Sequence, residues 1–211
     1  MSQIVAVFVG QPKTYIAEDG SEWQSAIFKS PVTGPIALGS RTLEGDKVAD
    51  TRHHGTPDMA LCAYPLSHYA KWNTEFGSTL EAGNVGENVT IDGLDEDQIC
   101  IGDTYQLGTA RIQVSQPRFP CYKQERRTGV DGFLKAVFAT GRTGWYFRVL
   151  EPGTLQVGDS LTLLERPLPE VTVAAVNAAM FDPAPADIRA RLSALELLSE
   201  SWREALANRK G

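Results

Sequence analysis

Cys121 sits in the stretch "SQPRFPCYKQ" (115–124), directly after a proline, in a segment with two prolines and several cations. The thiolate is the reactive and metal-ligating form of cysteine, and neighbouring cations favour it. Arg118 and Lys123 lie within three residues of Cys121 and favour that form if they fold inward. Pro117 and Pro120 fix their own φ and bias the residues before them toward extended backbone, which stiffens the loop. Such a loop suits a preorganised ligand or a reactive thiol. Spacing alone also accommodates a half-buried cysteine at the end of a strand. The chain has no C-x-x-C, so a zinc ribbon or a thioredoxin-type pair has no support.

Two further segments carry groups of chemical interest. "DTRHHGTPDMALCAYP" (50–65) brings adjacent histidines, Asp58 and Cys62 together. His53, His54, Cys62 and Cys121 compose a zinc site only on paper, because adjacent residues of an extended segment point to opposite faces. Cys62 lies in an apolar run and reads as a buried core thiol. His54, just before Gly55, remains free to donate a hydrogen bond to a ligand. In "NVGENVTIDG" (84–93), the Glu87 carboxylate accepts and the Asn88 amide both donates and accepts, a set that suits a polar heterocycle. A turn with a solvated Glu is the plainer alternative. Lys29 and Ser30 end an apolar run and either meet a phosphate or mark an exposed strand end. No P-loop, G-x-G-x-x-G, G-x-S-x-G or H-E-x-x-H is present, which removes the main support for nucleotide-hydrolysing, dinucleotide-binding and α/β-hydrolase readings.

The elements that must position these groups are mostly strands. Apolar runs at 4–9, 25–29, 59–64, 88–91, 104–108, 111–115, 145–150 and 160–165 alternate with Gly and Pro punctuation, the pattern of a β-barrel or sandwich. Two helices interrupt them. One spans 65–76 with Pro65 at its start; the other spans 130–140 with Phe133, Leu134, Val137 and Phe138 on one face. After "ERPLPE" (165–170) the composition turns Ala-, Leu- and Arg-rich with helical periodicity. Three helices follow, the first two separated by Pro183 and Pro185 and the third with Ser199 as its cap. The expected organisation is a mainly β domain over 1–166 and a small three-helix domain over 167–211. A tail of about 40 residues is too small to bury much alone, so it packs on the β domain or on a partner.

Composition is that of a globular chain: 211 residues, 42% hydrophobic and 22% charged. The net charge is −6 and no Lys/Arg-rich run occurs, which argues against a nucleic-acid polymer as partner. Arg118, Lys123, Arg126 and Arg127 nonetheless cluster, leaving room for a local anionic ligand. Three cysteines do not make a disulfide framework and fit a reducing compartment. The N-terminal apolar run lacks the flanks of a signal peptide, and no run reaches the roughly 18 residues of a membrane span. A cytoplasmic protein without membrane attachment is expected.

Taken together, "LEGDKVAD" (43–50), "HHGTPDMALCAYP" (53–65), "VGENVTIDGL" (85–94), "IGDTYQLGTARIQVSQPRFPCYK" (101–123) and "GRTGWYFRVLEPG" (141–153) resemble the MOSC family, named for the C-terminal domain of molybdenum-cofactor sulfurases. The resemblance is to its bacterial branch associated with resistance to 6-N-hydroxylaminopurine, and the tail resembles the three-helix domain of that branch. It implies a β-barrel MOSC domain with a few inserted helices and a pterin-bound molybdenum cofactor. Cys121 matches the family cysteine expected to ligate molybdenum, in keeping with soft thiolate ligation. The resemblance also implies that Lys29, Ser30, His54, Glu87, Asn88, Gln116, Arg118 and Lys123 line the cofactor pocket. Thr56 stands where the family has a second Gly, and Val85 where it has Phe, so the turn at Thr56 is expected to differ. The implied reaction reduces N-hydroxylated bases to amines with electrons from a separate flavoprotein reductase. A non-enzymatic cofactor or sulfur carrier using Cys121 is the alternative, and a homodimer is left open.

Overall fold

The apolar runs become strands of one curled sheet in the computed structural model, which describes residues 2–17, 20–50 and 55–209. In chain order the strands are β1 (Gln3–Val9), β2 (Lys13–Ile16), β3 (Glu22–Ser25), β4 (Ser30–Pro31), β5 (Ile36–Leu38), β6 (Leu61–Pro65), β7 (Val89–Asp92), β8 (Thr104–Leu107), β9 (Ala110–Pro117), β10 (Trp145–Glu151), β11 (Gly153–Leu155) and β12 (Leu161–Glu165). The helices are α1 (Leu66–Phe76), α2 (Tyr122–Thr128), α3 (Phe133–Thr140), α4 (Val173–Phe181), α5 (Ala186–Ser193) and α6 (Glu200–Asn208).

The main sheet runs β12-β8-β9-β10-β6-β7-β1-β4, with β6 and β7 parallel. It curls until β1 meets the start of β12. Gln3 bridges Ser160, the Ile4 N–H donates to Asp159 O (2.9 Å) and the Leu161 N–H donates to Ser2 O (3.0 Å). Side chains alternate across a strand. Leu61, Ala63, Val114, Trp145 and Phe147 therefore fill the barrel, while Cys62 and Tyr146 look outward on neighbouring strands in register. That outer face is where the site is built.

Helix α1 starts after Pro65 and ends at Gly77, whose φ of +62° supplies the left-handed cap. Its Tyr69 and Trp72 form a second apolar cluster with Phe133 and Val137 of α3. In the tail, the Ser199 hydroxyl caps α6 by accepting from the Trp202 N–H. Val176, Met180, Leu192, Trp202 and Leu206 of the tail helices join the same hydrophobic cluster as the barrel. Backbone bonds from the Ile101 N–H to Val171 O (2.9 Å) and from the Ser199 N–H to Ser115 O (3.0 Å) tie them to it. Sharing the barrel core gives these helices the burial that so short a segment lacks by itself.

The structure departs from the expected strand at 25–29. Ser25 ends β3, and its hydroxyl accepts from the Ile27 N–H (3.1 Å), while the Lys29 N–H turns back to Ile27 O (3.1 Å). A serine bonding its own backbone two residues on competes with strand pairing. Ser30 instead begins β4, paired to Val9 of β1. The stretch 26–29 becomes a loop over the outer face of the barrel. None of the helices among the described residues is long and apolar enough to cross a membrane.

Candidate functional site

A cavity of about 390 Å³ opens on the outer face of the barrel. Cys62 and Tyr146 form its floor, and the loops at 25–29, 41–50 and 118–123 form its walls. Cys121 lies on its wall as the residue before α2. Two bonds fix that position: the Cys121 N–H donates to Gln124 Oε1 (3.1 Å) and the Arg118 N–H donates to Gly144 O (3.0 Å). With Pro117 and Pro120 restricting φ between them, the loop has little freedom left.

The cavity is lined by Lys29, Arg41, Lys47, Arg118 and Lys123 against Asp46 and Asp50. A cationic excess in a chain of net charge −6 marks a place prepared for an anion. Arg118 is its centre. Its side chain is 7% exposed, its Nη2 donates to Val85 O (2.8 Å), and its buried Nη1 has no hydrogen-bond partner. Burial alone pushes the guanidinium pKa down. The anionic forms of Cys62, Tyr146, Cys121 and Glu87 outweigh it, so the group stays above its ordinary value and keeps its charge. One arm of the guanidinium fork is thus anchored to backbone while the other is buried without a partner.

Asp46 organises the groups around it. Its carboxylate accepts from the Gly10 N–H (2.7 Å), Lys29 Nζ (2.5 Å), Thr42 Oγ1 (3.2 Å) and Asn88 Nδ2 (3.0 Å). Asn88 also accepts from the Cys62 N–H (3.1 Å) and donates to Phe8 O (3.2 Å), so it stitches β1 to β6 at the cavity wall. Gly86 allows this loop to lie against Ile27. Its φ is +79°, and a Cβ there would stand 2.3 Å from Ile27 Cγ1.

Of the residues anticipated from sequence, Lys29, Asn88, Arg118, Cys121 and Lys123 line this cavity together. Lys123 is held by donating from Nζ to Gln24 O (2.9 Å) at the end of the β2–β3 hairpin. Ser30, Glu87 and Gln116 are not among the lining residues. Glu87 is buried and accepts from Tyr69 Oη (2.6 Å), the Gly83 N–H (2.7 Å) and Thr90 Oγ1 (2.8 Å), which makes it a brace behind the loop. Gln116 is buried beneath Pro117, to whose carbonyl its Nε2 donates (3.3 Å), and Ser30 is exposed on β4. His54 and His53 lie outside the described residues, though Gly55 lines the cavity. Among the described residues no group of three or more His, Cys, Asp or Glu is placed to hold a metal ion. The positive φ (+81°) falls on Gly55, and Thr56 takes an ordinary φ of −72°.

Sequence reasoning missed Asp46, Arg41, Lys47, Tyr146 and the outward orientation of Cys62. The "GDK" at 45–47 and the alternation of Trp145-Tyr146-Phe147 were the available signals. The three thiols differ in accessibility. Burial is the main cause that raises the Cys62 thiol pKa, only partly opposed by Arg118 and Lys29, and burial also raises that of Cys100. A raised thiol pKa means less thiolate at a given pH. Native protein treated with iodoacetamide at mildly alkaline pH is therefore expected to be alkylated at Cys121, with Cys62 and Cys100 labelled only after unfolding. Peptide mapping checks this, and native labelling of Cys62 ahead of Cys121 would contradict the geometry.

Fold and site define a class: a curled, barrel-like β-sheet whose outer face carries an accessible thiol in a cationic cavity. The MOSC domain profile matches residues 50–162, and the chain belongs to the MOSC family. It is 38% identical to protein YiiM of Escherichia coli (strain K12), over 98% of this chain and 92% of that protein. It is 37% identical to a protein named "Reductase" of Gibberella moniliformis, over 86% of this chain but only 31% of that longer protein. The crystal structure of YiiM from Geobacillus stearothermophilus superposes with a TM-score of 0.83 at 37% identity, covering 98% of this chain and 97% of that one.

Proposed function

We propose that this chain is a molybdenum-cofactor oxidoreductase that reduces N-hydroxylated compounds, purine-type bases among them, to amines. The observation that carries the reading is the cavity where Cys121 shares its lining with Lys29, Lys123 and the buried, incompletely paired Arg118. The residues fit an anionic, phosphate-bearing group: the Arg118 fork and Lys29 offer charge-assisted donors, and the Cys121 sulfur offers a soft ligand. When bound, the cofactor supplies two-electron chemistry that, with two protons, takes an N–OH group to an amine and water. Family membership and the redox name of the fungal relative support the same direction.

The protein's own groups have separable tasks. Cys121 fixes the metal end, Arg118 and Lys29 the anionic end, and Asp46 holds Lys29 in place. Burial raises the Tyr146 phenol pKa well above its ordinary value, so its O–H remains a hydrogen-bond donor at neutral pH. The chain has no nucleotide or flavin motif, so a separate flavoprotein reductase delivers the electrons. Protein purified from a cofactor-competent host is expected to contain stoichiometric molybdenum. Supplied with NADH and a flavoprotein reductase, it should convert 6-N-hydroxylaminopurine to adenine. Fully loaded and reduced protein that leaves the substrate untouched would reject the enzyme reading in favour of a cofactor carrier.

A further inference from the structure

Phe119 belongs to two hollows at once. It lines the cavity of Cys121, and it is the residue this cavity shares with a neighbouring groove of about 400 Å³. Phe138 of α3 and Phe181 at the end of α4 wall that groove, with Lys135, Arg209 and one acid, Asp182, also lining it. The Phe119 ring centroid lies 6.2 Å from Phe138 and 5.7 Å from Phe181, and those two lie 5.0 Å apart. Phe119 is nonetheless 50% exposed. Its backbone is held, because prolines flank its loop and the Arg118 N–H is pinned to Gly144 O. Arg209 is fixed as well, donating from Nη2 to Phe181 O (3.2 Å).

An aromatic wall with two cations and a carboxylate beside it has a specific preference. Aromatic faces gain most from a flat ring laid against them. Guanidinium and ammonium groups favour a ring with acceptor atoms at its edge. The groove volume falls in the range that takes one small ligand. We propose that this groove is a subsite for a flat heteroaromatic ring, which lies on Phe119 with its exocyclic nitrogen directed into the Cys121 cavity. The tail then contributes specificity through Phe181 and Arg209. The ring subsite stands on the groove itself; only its link to N–O chemistry rests on the function proposed above.

Adenine titrated into the full chain, followed by calorimetry and by ligand-detected NMR, tests the subsite without any cofactor or turnover. Saturable binding is expected, with the ringless acetamidine showing none. Phe119→Ala and Phe181→Ala should each weaken adenine by about tenfold, the scale of one lost base–aromatic contact. Both side chains are partly exposed, and Phe119→Leu, which keeps apolar bulk but loses the ring, should weaken binding in the same direction with an unchanged melting curve. Absence of saturable adenine binding, or variants within about twofold of the parent, would overturn the subsite. Intact ring binding in a protein that never loads molybdenum would leave the subsite standing and sink only the proposed function.

Discussion

Replacing Cys121 by alanine is expected to strip molybdenum from protein made in a cofactor-competent host and to abolish its reductive turnover. Replacing Cys62 by alanine leaves the metal bound. Both thiols line the same cavity, so the contrast isolates ligation from mere proximity. Cys121 is partly exposed and its loop is held through backbone groups, chiefly the Cys121 N–H to Gln124 Oε1 and the Arg118 N–H to Gly144 O. Those bonds survive the alanine change, so stability should move by no more than about 0.5 kcal/mol, as for a surface substitution. The loss of function should exceed the ~10- to 100-fold typical of removing an outer partner of a metal ligand. Cys62 is buried on the cavity floor, with burial raising its thiol pKa. Its truncation should cost about 1 kcal/mol of packing and leave molybdenum content near that of the parent. Loss of metal from Cys62→Ala with metal retained in Cys121→Ala would place ligation on the floor of the cavity rather than on its wall.

The strands that fill the barrel were legible because their side chains obey a period of two around an apolar core. The runs at 145–150 and 111–115 fall inside β10 and β9, and the proline start of α1 and the Ser199 cap of α6 are where the pattern puts them. Helix α2 was not legible. "YKQERRT" has no apolar face; only Gln124 is buried, and the helix's cations pack on aromatic rings, Arg126 at 4.9 Å from the Trp23 ring centroid and Arg127 at 4.9 Å from that of Phe28. Guanidinium groups packed on aromatic faces give a helix a partner without giving its sequence a hydrophobic stripe. The site shows the same division. Cys121 and Arg118 stand out through their prolines and charge, whereas Asp46 acquires its role only when the fold brings Gly10, Lys29, Thr42 and Asn88 to one carboxylate. Glu87 illustrates the converse: a residue conspicuous in a motif whose carboxylate faces Tyr69 and Thr90 behind the wall.

Arg118→Met should separate stability from function in the opposite sense to an ordinary core change. The guanidinium is buried, with Nη1 unpartnered. Desolvating an incompletely paired charge costs several kcal/mol. Methionine removes that cost while leaving Val85 O without its donor, a loss of about 1–3 kcal/mol. The two changes oppose each other, so the melting temperature of the empty protein should hold or rise. Binding of the anionic cofactor should suffer heavily. Truncating one partner of a desolvated, hydrogen-bonded charge pair costs about 2–5 kcal/mol, on the order of 30- to 5,000-fold in Kd. Arg118→Lys keeps the charge but not the planar fork and should fall between the two. Thermal denaturation of loaded and empty forms reads both effects, because a ligand stabilises only the state that binds it. The parent should melt higher when loaded, and Arg118→Met should show almost no such difference. A methionine variant that loads normally yet melts far below the parent when empty would make Arg118 a structural brace for Val85 rather than an anion receptor.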